Sequence, residues 1–307
     1  MHLQDAVATW LITEYKKPGI SFVELFIKVQ DLFNEKKFHG IKLSGVHGNS
    51  KLENIMSKTI EHLFKIKIFL EISTFNEKSK IFITQKYLED SSDEKPICSF
   101  YEYGYIGYLS ALHIHGLTDR FPKIINYVVF SRSEWKEKYF FKNDFLKIYG
   151  KKYIMPVYPV NGNLPDKILK IKNDSNVKDF ITKSDGIIRV RTIEALFIDC
   201  LREPDLCGGL DHVIDIYEEY GENFSNKLID YTDKNGSLID KARVGFILEK
   251  FCEVQSNRFQ FWKKQMIRGG SRTFYSKNSH SSWYDPEWCI SLNHERIASY
   301  GIKNSNV

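Results

Sequence analysis

One stretch of the chain, residues 186–209, constrains its fold most strongly, because the periodicity of its apolar residues changes abruptly. Residues 187–191 form an alternating run, a pattern typical of a strand packed on one face. From Thr192 onward the spacing becomes helical, and Thr192 is placed to cap that helix. Pro204 ends the helix, and the glycines at 208 and 209 permit a sharp reversal of the backbone. The predicted core face of this helix consists of Ile193, Leu196, Phe197, Cys200 and Leu201.

The composition is that of a folded protein with about two domains. The chain has 307 residues, and its net charge of +5 arises from 44 basic and 39 acidic residues. This small basic excess permits nucleic-acid binding without requiring it. The five cysteines have no CxxC spacing, so we expect reduced core cysteines and neither a metal nor another cofactor. No signal peptide or membrane-spanning run is visible, which predicts a cytoplasmic protein.

Three amphipathic helices and a hairpin are predicted within the first ninety residues. The first helix covers residues 3–15. The second begins at a capping box formed by Ser21 and Glu24, and the third begins at a similar pair, Ser50 and Glu53, after a linker of about fifteen residues. Two strands follow, at residues 68–74 and 80–86. This order of elements is that of a winged helix-turn-helix domain, which we assign to residues 1–90.

The third helix has a polar face suited to the major groove of DNA. Its side chains are mostly lysines and short hydrogen-bonding groups, which can contact phosphates and base edges. Asn54 is the best candidate for reading a base, while a guanine contact from arginine is excluded because the first arginine is Arg120. The predicted contacts of this domain are Ser50, Lys51, Asn54, Ser57, Lys58, Lys65, Lys78 and Lys80. A small α/β module that binds protein is the alternative interpretation.

The remainder of the chain reads as a larger mixed domain. Residues 88–98 are acidic and contain serine and proline, and we interpret residues 91–98 as an interdomain linker. The domain predicted for residues 99–307 includes a buried strand at 124–130 and one long helix at 237–266, which makes the fold class α+β. A basic group near the end of that helix is a candidate second phosphate contact, with a solvated loop as the alternative. Its residues are Lys263, Lys264, Arg268 and Arg272.

Motifs for catalysis are not evident in the sequence. There is no phosphate-binding glycine loop and no nucleophile elbow. Asp185, Glu194 and Asp199 are compatible with a metal-dependent nuclease, but Glu194 and Asp199 lie about 140° apart around a helix and would not easily share a metal. We expect Asp199 to pair with Arg189 or Arg191 instead, and we expect the chain not to be an enzyme.

Three stretches carry a resemblance to a known family. They are YIGYLSALHIHGLTD at residues 105–119, RTIEALFIDCLREPDLCGGLDHV at 191–213 and RGGSRTFYSKNSHSSWYDPEWCISLN at 268–293. In this order they resemble segments of the AbiEi family of antitoxins, which belong to type IV toxin–antitoxin systems of phage defence. The resemblance implies a winged helix-turn-helix domain followed by a larger regulatory domain.

The same resemblance implies a function and two partners. The expected protein represses its own operon by binding double-stranded DNA at repeated operator sites in its promoter. Its expected functional partner is a nucleotidyltransferase-like toxin, which it would counter without forming a stable complex. A metal-dependent nuclease and a protein-binding adaptor in phage defence remain the alternatives.

Overall fold

The computed structural model describes residues 1–46, 51–70, 82–84, 92–101, 103–135, 137, 157–164, 166–184, 186–266 and 272–305. Helices and strands are both well represented, so the fold is mixed α/β. The chain divides into two compact units, Met1–Ile106 with Lys123–Val190 and Gly107–Pro122 with Arg191–Val307. The first unit therefore continues well beyond the boundary that the sequence predicts near residue 90.

Three amphipathic helices open the first unit: α1 (Leu3–Thr13), α2 (Phe22–Glu35) and α3 (Leu52–Lys65). Ser21 caps α2 as predicted, because its Oγ accepts a hydrogen bond from the backbone N–H of Glu24 at 3.0 Å. The predicted apolar faces are buried, which confirms the helical periodicity. Their buried side chains include Leu3, Val7, Leu11, Leu25, Phe26, Val29, Ile55, Met56 and Leu63.

A short antiparallel hairpin lies between α2 and α3, where the sequence indicated only a linker. Its strands are β1 (Lys37–Phe38) and β2 (Ile41–Lys42). The connecting residues His39 and Gly40 both have positive φ, 47° and 79°, as a type I′ turn requires. The prediction of a linker is therefore wrong for these residues, because strands of two residues are too short to show an alternating pattern.

A second pair of strands follows α3, namely β3 (Phe69–Leu70) and β4 (Ile83–Thr84). They pair antiparallel, which confirms the predicted hairpin for these residues, while the rest of the hairpin lies outside the described residues. Aromatic rings join this pair to the helices. The ring of Phe69 lies 5.6 Å from that of Phe64 on α3 and 5.1 Å from that of Phe82. Burial of these rings holds the strands against the end of α3.

Part of the predicted interdomain linker is a helix. Residues Glu94–Phe100 form α4, and the side chains of Ile97 and Cys98 are buried. Glu94 pairs with Lys167 at 2.5 Å. The helix packs so closely on the turn at Gly19 that a Cβ there would come within 2.7 Å of the carbonyl oxygen of Pro96. The acidic residues and the proline suggested a linker. The segment is a packed helix instead, because its apolar side chains, among them Ile97 and Phe100, are buried.

A six-stranded sheet follows, with strand order β7-β8-β6-β5-β10-β9. The strands are β5 (Tyr105–Gly107), β6 (Ile124–Val129), β7 (Gly162–Asn163), β8 (Ile168–Asn173), β9 (Phe180–Lys183) and β10 (Ile188–Arg191). Strand β6 pairs parallel with β8, and β10 pairs parallel with β5. The predicted strand at residues 124–130 is confirmed, because β6 is buried on nearly every residue, as expected for a parallel strand in the middle of a sheet.

Arg189 of β10 anchors the middle of this sheet. Its guanidinium donates hydrogen bonds to the carbonyl oxygen of Gly104 and to the hydroxyl of Tyr127, both at 2.8 Å. It also donates to the carbonyl oxygen of Tyr101. These bonds satisfy backbone acceptors that are buried with the strand ends, so Arg189 has a structural role.

The second unit is mainly helical and contains the helix and the turn that the sequence predicts after Thr192. Its helices are α5 (Tyr108–His115), α6 (Ile193–Arg202), α7 (Leu210–Asn235), α8 (Leu238–Lys250), α9 (Asn257–Gln265) and α10 (Glu295–Ser305). A two-stranded sheet pairs β11 (Tyr284–Asp285) with β12 (Ile290–Ser291). Helix α6 ends before Pro204, and Gly208 and Gly209 have φ of 94° and 96°, which confirms the predicted reversal.

The long helix predicted at residues 237–266 is two helices, α8 and α9. The chain leaves the helical conformation after Lys250, and Glu253 adopts a left-handed φ of 55°. Ser256 then caps α9, because its Oγ accepts a hydrogen bond from the backbone N–H of Arg258 at 3.2 Å. The prediction was wrong because apolar residues at 251 and 254 continue the helical spacing across the break, with no glycine or proline to mark it.

Asp240 joins two of these helices through a buried carboxylate. The carboxylate accepts hydrogen bonds from the guanidinium of Arg202 at 2.9 and 2.7 Å and from the backbone N–H of Ser237 at 2.8 Å. Burial raises the pKa of Asp240, but the hydrogen bonds from Arg202 and Ser237 outweigh it and hold this pKa below its usual value. The ionised carboxylate therefore stabilises the fold above about pH 4, and this contribution is lost as pH falls through the lowered pKa.

We predict that Asp240→Ala lowers the free energy of unfolding by about 2 kcal/mol at neutral pH, since it removes an ion pair and a helix cap together. Urea denaturation measures this loss. The difference from the parent should shrink below about pH 4, where the parent loses the same contribution. Asp230→Ala is the matched control, because the Asp230 side chain is 60% exposed. An equal loss in the two variants would contradict the structural role of Asp240.

Candidate nucleic-acid interface

Helix α3 presents a polar face to solvent and an apolar face to the first unit. Its buried residues recur at positions 55, 56, 59 and 63, which lie on one side of a helix. The opposite side carries the side chains that the sequence predicts as DNA contacts. Those described as exposed are Lys51, Asn54, Ser57, Lys58 and Lys65. The predicted division of this helix into a buried apolar face and an exposed polar face is confirmed.

Contacts within the first unit fix how α3 presents that face. The Nε2 atom of His62 lies 3.1 Å from the carboxylate of Asp5 on α1. The buried hydroxyl of Thr59 donates to the carbonyl oxygen of Ile55 at 2.8 Å, so no polar group is left unpaired there. Phe64 packs edge-on against Phe69 at the other end. With both α1 and β3 in contact with it, α3 is held in one orientation and its polar face is exposed to solvent.

The exposed lysines of α3 are available to a polyanion. Lys51, Lys58 and Lys65 form no salt bridge with any residue in the described part of the chain. Glu53 and Glu61 are exposed on the same helix, so the face is mixed rather than uniformly basic. Such a face suits contacts in which lysines position the helix on phosphates while Asn54, whose amide both donates and accepts, meets a base edge.

Three of the predicted contacts around α3 lie outside the described residues: Ser50, Lys78 and Lys80. The N-cap position of α3 is occupied by Lys51, one residue later than predicted, and its side chain makes no capping hydrogen bond. The first turn of α3 thus keeps backbone N–H groups that no side chain of the N-cap satisfies. Such N–H groups favour an anion near the start of the helix, and the positive charge of Lys51 at the same place would attract the same anion.

Lys263, one of the four residues of the predicted second contact, is engaged elsewhere. Its Nζ lies 2.7 Å from a carboxylate oxygen of Glu249 and 2.9 Å from one of Glu287, and its side chain is 12% exposed. Burial lowers the pKa of Lys263, but the hydrogen bonds with the two glutamates outweigh it and raise this pKa. The prediction of a phosphate contact by Lys263 is not supported, because a phosphate would have to displace two carboxylates.

The other members of that group are not brought together as a free basic surface in the described residues. Lys264 is exposed, Arg272 is half-buried, and Arg268 lies outside the described residues. The backbone carbonyl of Arg272 accepts a hydrogen bond from the N–H of Ser291 at 2.9 Å, so that segment is held as an extended strand-like connection. Of the four predicted residues, Lys264 alone is both described and exposed.

Among the carboxylates considered for a nuclease, Asp199 is engaged in ion pairs. Asp199 on α6 lies 2.8 Å from Nε of Arg191, which confirms one of its two predicted partners, and 3.7 Å from Arg202. Glu194 is half-buried on the same helix, and Asp185 lies outside the described residues. Among the described residues no group of three or more histidine, cysteine, aspartate or glutamate side chains is arranged to hold a metal ion.

The structure also shows basic residues that sequence reasoning passed over. Lys36, Lys37 and Lys42 are exposed on or beside the β1–β2 hairpin. The signal that could have found them is the His39–Gly40 pair, since a glycine second in a two-residue connection is typical of a type I′ hairpin. These lysines form no salt bridge with another described residue.

Comparisons with known proteins do not assign the chain to a family. No protein-family model matches the chain, and no curated protein matches it. Among solved structures, the chain is similar to the RV2827C protein from Mycobacterium tuberculosis, with 11% sequence identity and a TM-score of 0.48. That similarity covers 98% of this chain and 94% of that one. No helix among the described residues is both long enough and apolar enough to cross a membrane.

Proposed function

We propose that the chain binds double-stranded DNA through its first three helices and the β3–β4 pair, acting together as a winged helix-turn-helix. Helix α3 would lie in the major groove, with β3–β4 as the base of the wing. The observation that carries this proposal is the exposed face of α3, where Lys51, Lys58 and Lys65 have no salt bridge in the described part of the chain and flank Asn54. A helix of this kind matches the dimensions and chemistry of the major groove.

The order of elements supports the same proposal. A helix held by two preceding helices and followed at once by an antiparallel strand pair has the arrangement in which winged helix-turn-helix domains place a recognition helix. The contact between Phe64 and Phe69 couples α3 to that strand pair. Groove and backbone contacts could therefore be made by one rigid assembly, which lowers the entropic cost of binding.

We further propose that the chain is an antitoxin that represses its own operon. Support comes from the three stretches at residues 105–119, 191–213 and 268–293 that resemble AbiEi antitoxins. On this proposal the second unit regulates, and the functional partner is a nucleotidyltransferase-like toxin that is countered without a stable complex. Expression of the chain from a foreign promoter should then protect cells from the toxin encoded next to it. Loss of protection whenever autorepression is bypassed would contradict the antitoxin role.

The sharpest test of base reading is Asn54→Ala in the full chain. We predict that it weakens binding to the promoter duplex by about 1–3 kcal/mol and relaxes the preference at one base pair, because a bidentate amide contact is lost. Titration of duplexes that vary at single base pairs measures both effects. Asn34→Ala is the matched control, since Asn34 is exposed on α2. If Asn54→Ala binds every duplex like the parent, α3 does not read bases through Asn54.

The alternative functions give different results in the same assays. A nuclease would cut DNA or RNA in the presence of magnesium and lose that activity on Asp199→Ala. The ion pair of Asp199 with Arg191 favours a structural role for this carboxylate instead. A protein-binding adaptor would show neither cleavage nor salt-dependent DNA binding.

A further inference from the structure

The β1–β2 hairpin places two lysines side by side on its solvent face. Lys37 and Lys42 are directly opposite in the antiparallel register, so their side chains point to the same side of the hairpin. The neighbouring residue Phe38 points the other way and is 5% exposed, which identifies the packed face. Directly opposite side chains in such a pair have Cβ atoms about 4.5–5.5 Å apart, a distance at which like charges repel.

The hairpin is held rigidly despite this repulsion. Its type I′ turn fixes the twist of the strands. The ring of His39 stacks on that of Phe38 with centroids 4.1 Å apart, and its Nε2 lies 3.0 Å from a carboxylate oxygen of Glu14. The backbone N–H of Leu43 donates to the carbonyl oxygen of Lys36 at 2.9 Å, which closes the other end.

A third lysine stands at the entry to the hairpin. Lys36 is exposed and ends α2 in the left-handed conformation, with φ of 55°. That conformation is uncommon for a lysine and more often belongs to glycine or asparagine. Glu35, the acidic neighbour in sequence, is exposed as well. Lys37 and Lys42, with the exposed Lys36 next to them in sequence, are the basic residues of this hairpin, and we name them the hairpin cluster.

The hairpin cluster and helix α3 are both attached to α1. The hairpin contacts the end of α1 through His39 and Glu14, and the chain after it returns to the start of α1, where the N–H of Ser44 donates to the carbonyl oxygen of Met1 at 2.9 Å. Helix α3 contacts α1 through His62 and Asp5. An α1 of 11 residues is about 16 Å long. The points at which the two elements contact α1 therefore lie within the length of this helix, which is shorter than the roughly 34 Å of one turn of duplex DNA.

We propose that the hairpin cluster binds phosphates of the DNA backbone, as a contact separate from α3 and independent of base sequence. The inference rests on the proposed DNA-binding function of α3. A polyanion complements the cluster in charge and removes the repulsion between Lys37 and Lys42, which the described residues do not neutralise. Because phosphates carry no sequence information, this contact adds affinity equally to specific and nonspecific duplexes.

The test is the double variant K37Q/K42Q in the full chain, titrated with the promoter duplex and with a shuffled duplex over a range of salt concentrations. The slope of log affinity against log salt is negative, and the loss of two phosphate contacts should make it less negative by about two for both duplexes. At about 0.15 M salt this corresponds to roughly 30-fold weaker binding to each. The preference of K37Q/K42Q for the promoter over the shuffled duplex should equal that of the parent. The variant K37R/K42R keeps both charges and should bind both duplexes like the parent.

A matched control removes the same charge elsewhere. Lys123 and Lys170 are exposed, and K123Q/K170Q should change the slope by much less than K37Q/K42Q. Removing two repelling charges should leave the melting temperature of K37Q/K42Q unchanged or raise it. A lower melting temperature would therefore reveal a folding defect and separate it from the loss of a phosphate contact. An unchanged slope in K37Q/K42Q, with Asn54→Ala still losing promoter preference, would overturn the hairpin contact alone. A parent chain without affinity for either duplex would overturn both this inference and the proposed function.

Discussion

Phe197→Ala should lower the free energy of unfolding by about 3–5 kcal/mol, the range for removing a large aromatic side chain from a packed core. Phe197 lies on α6 and is 1% exposed. Its ring is 4.8 Å from that of Tyr217 and 5.9 Å from that of Phe224, both on α7. The hydroxyl of Tyr217 donates to the carbonyl oxygen of Phe197 at 3.0 Å, which ties the two helices further.

Urea denaturation of parent and variant measures this loss. The matched control is Phe261→Ala, because Phe261 on α9 is 62% exposed and its truncation should change stability by no more than about 0.5 kcal/mol. Phe197→Ala should differ from this control by several kilocalories per mole. If the two variants unfold at the same urea concentration, the centre of the second unit does not lie between α6 and α7.

Neutralising the lysines of α3 should have the largest effect on DNA binding. In the triple variant K51Q/K58Q/K65Q we expect the negative slope of log affinity against log salt to become less negative by about three. At about 0.15 M salt this amounts to binding roughly 200-fold weaker, since the electrostatic contribution accumulates below a reference near 1 M. The three side chains are exposed, so their replacement should leave the melting temperature within a degree or two of the parent.

A triple variant with the same charge change separates local contact from net charge. Lys123, Lys170 and Lys227 are exposed and belong to none of the proposed contacts. K123Q/K170Q/K227Q should retain most of the affinity and most of the salt dependence. Equal losses in the two triple variants would mean that overall charge, rather than the face of α3, attracts the DNA.

The elements that sequence predicted correctly are those whose periodicity is long enough to read. The helices α1, α2 and α3 each repeat their apolar spacing over several turns, and Ser21 marks one start unambiguously. Strand β6 is buried along its length and reads as a continuous apolar run. The β1–β2 hairpin escaped prediction because each strand has two residues, too few to show alternation.

Other differences arise from local conformations and from distant contacts that the spacing of apolar residues does not reveal. The break between α8 and α9 is set by the left-handed Glu253 and the cap at Ser256, neither of which interrupts the apolar spacing. The same holds for Lys263, whose partners Glu249 and Glu287 lie 14 and 24 residues away. The basic residues have no acidic residue between them in the sequence, so the sequence did not indicate that folding brings two glutamates next to Lys263.

The candidate site was predictable in composition and only partly in geometry. The exposed face of α3 follows directly from its periodicity. The sequence left Arg189 and Arg191 as possible partners of Asp199, and the structure shows the ion pair with Arg191, eight residues away across one strand–helix junction. The attachment of α3 to α1 through His62 and Asp5 could not be read from sequence, because it joins positions 57 residues apart in the chain. The orientation of a helix depends on contacts between distant residues, whereas its amphipathicity can be read from the spacing of its own residues.

The most direct test of the central claim, that α3 binds DNA, is the affinity of the full-length chain for its own promoter duplex, measured without divalent metal over a range of salt concentrations. The account predicts tighter binding to the promoter than to a shuffled duplex of the same composition. It also predicts a linear decrease of log affinity with log salt, with a slope of about −3 or steeper. Absence of binding at low salt, or an affinity that does not change with salt, would contradict it.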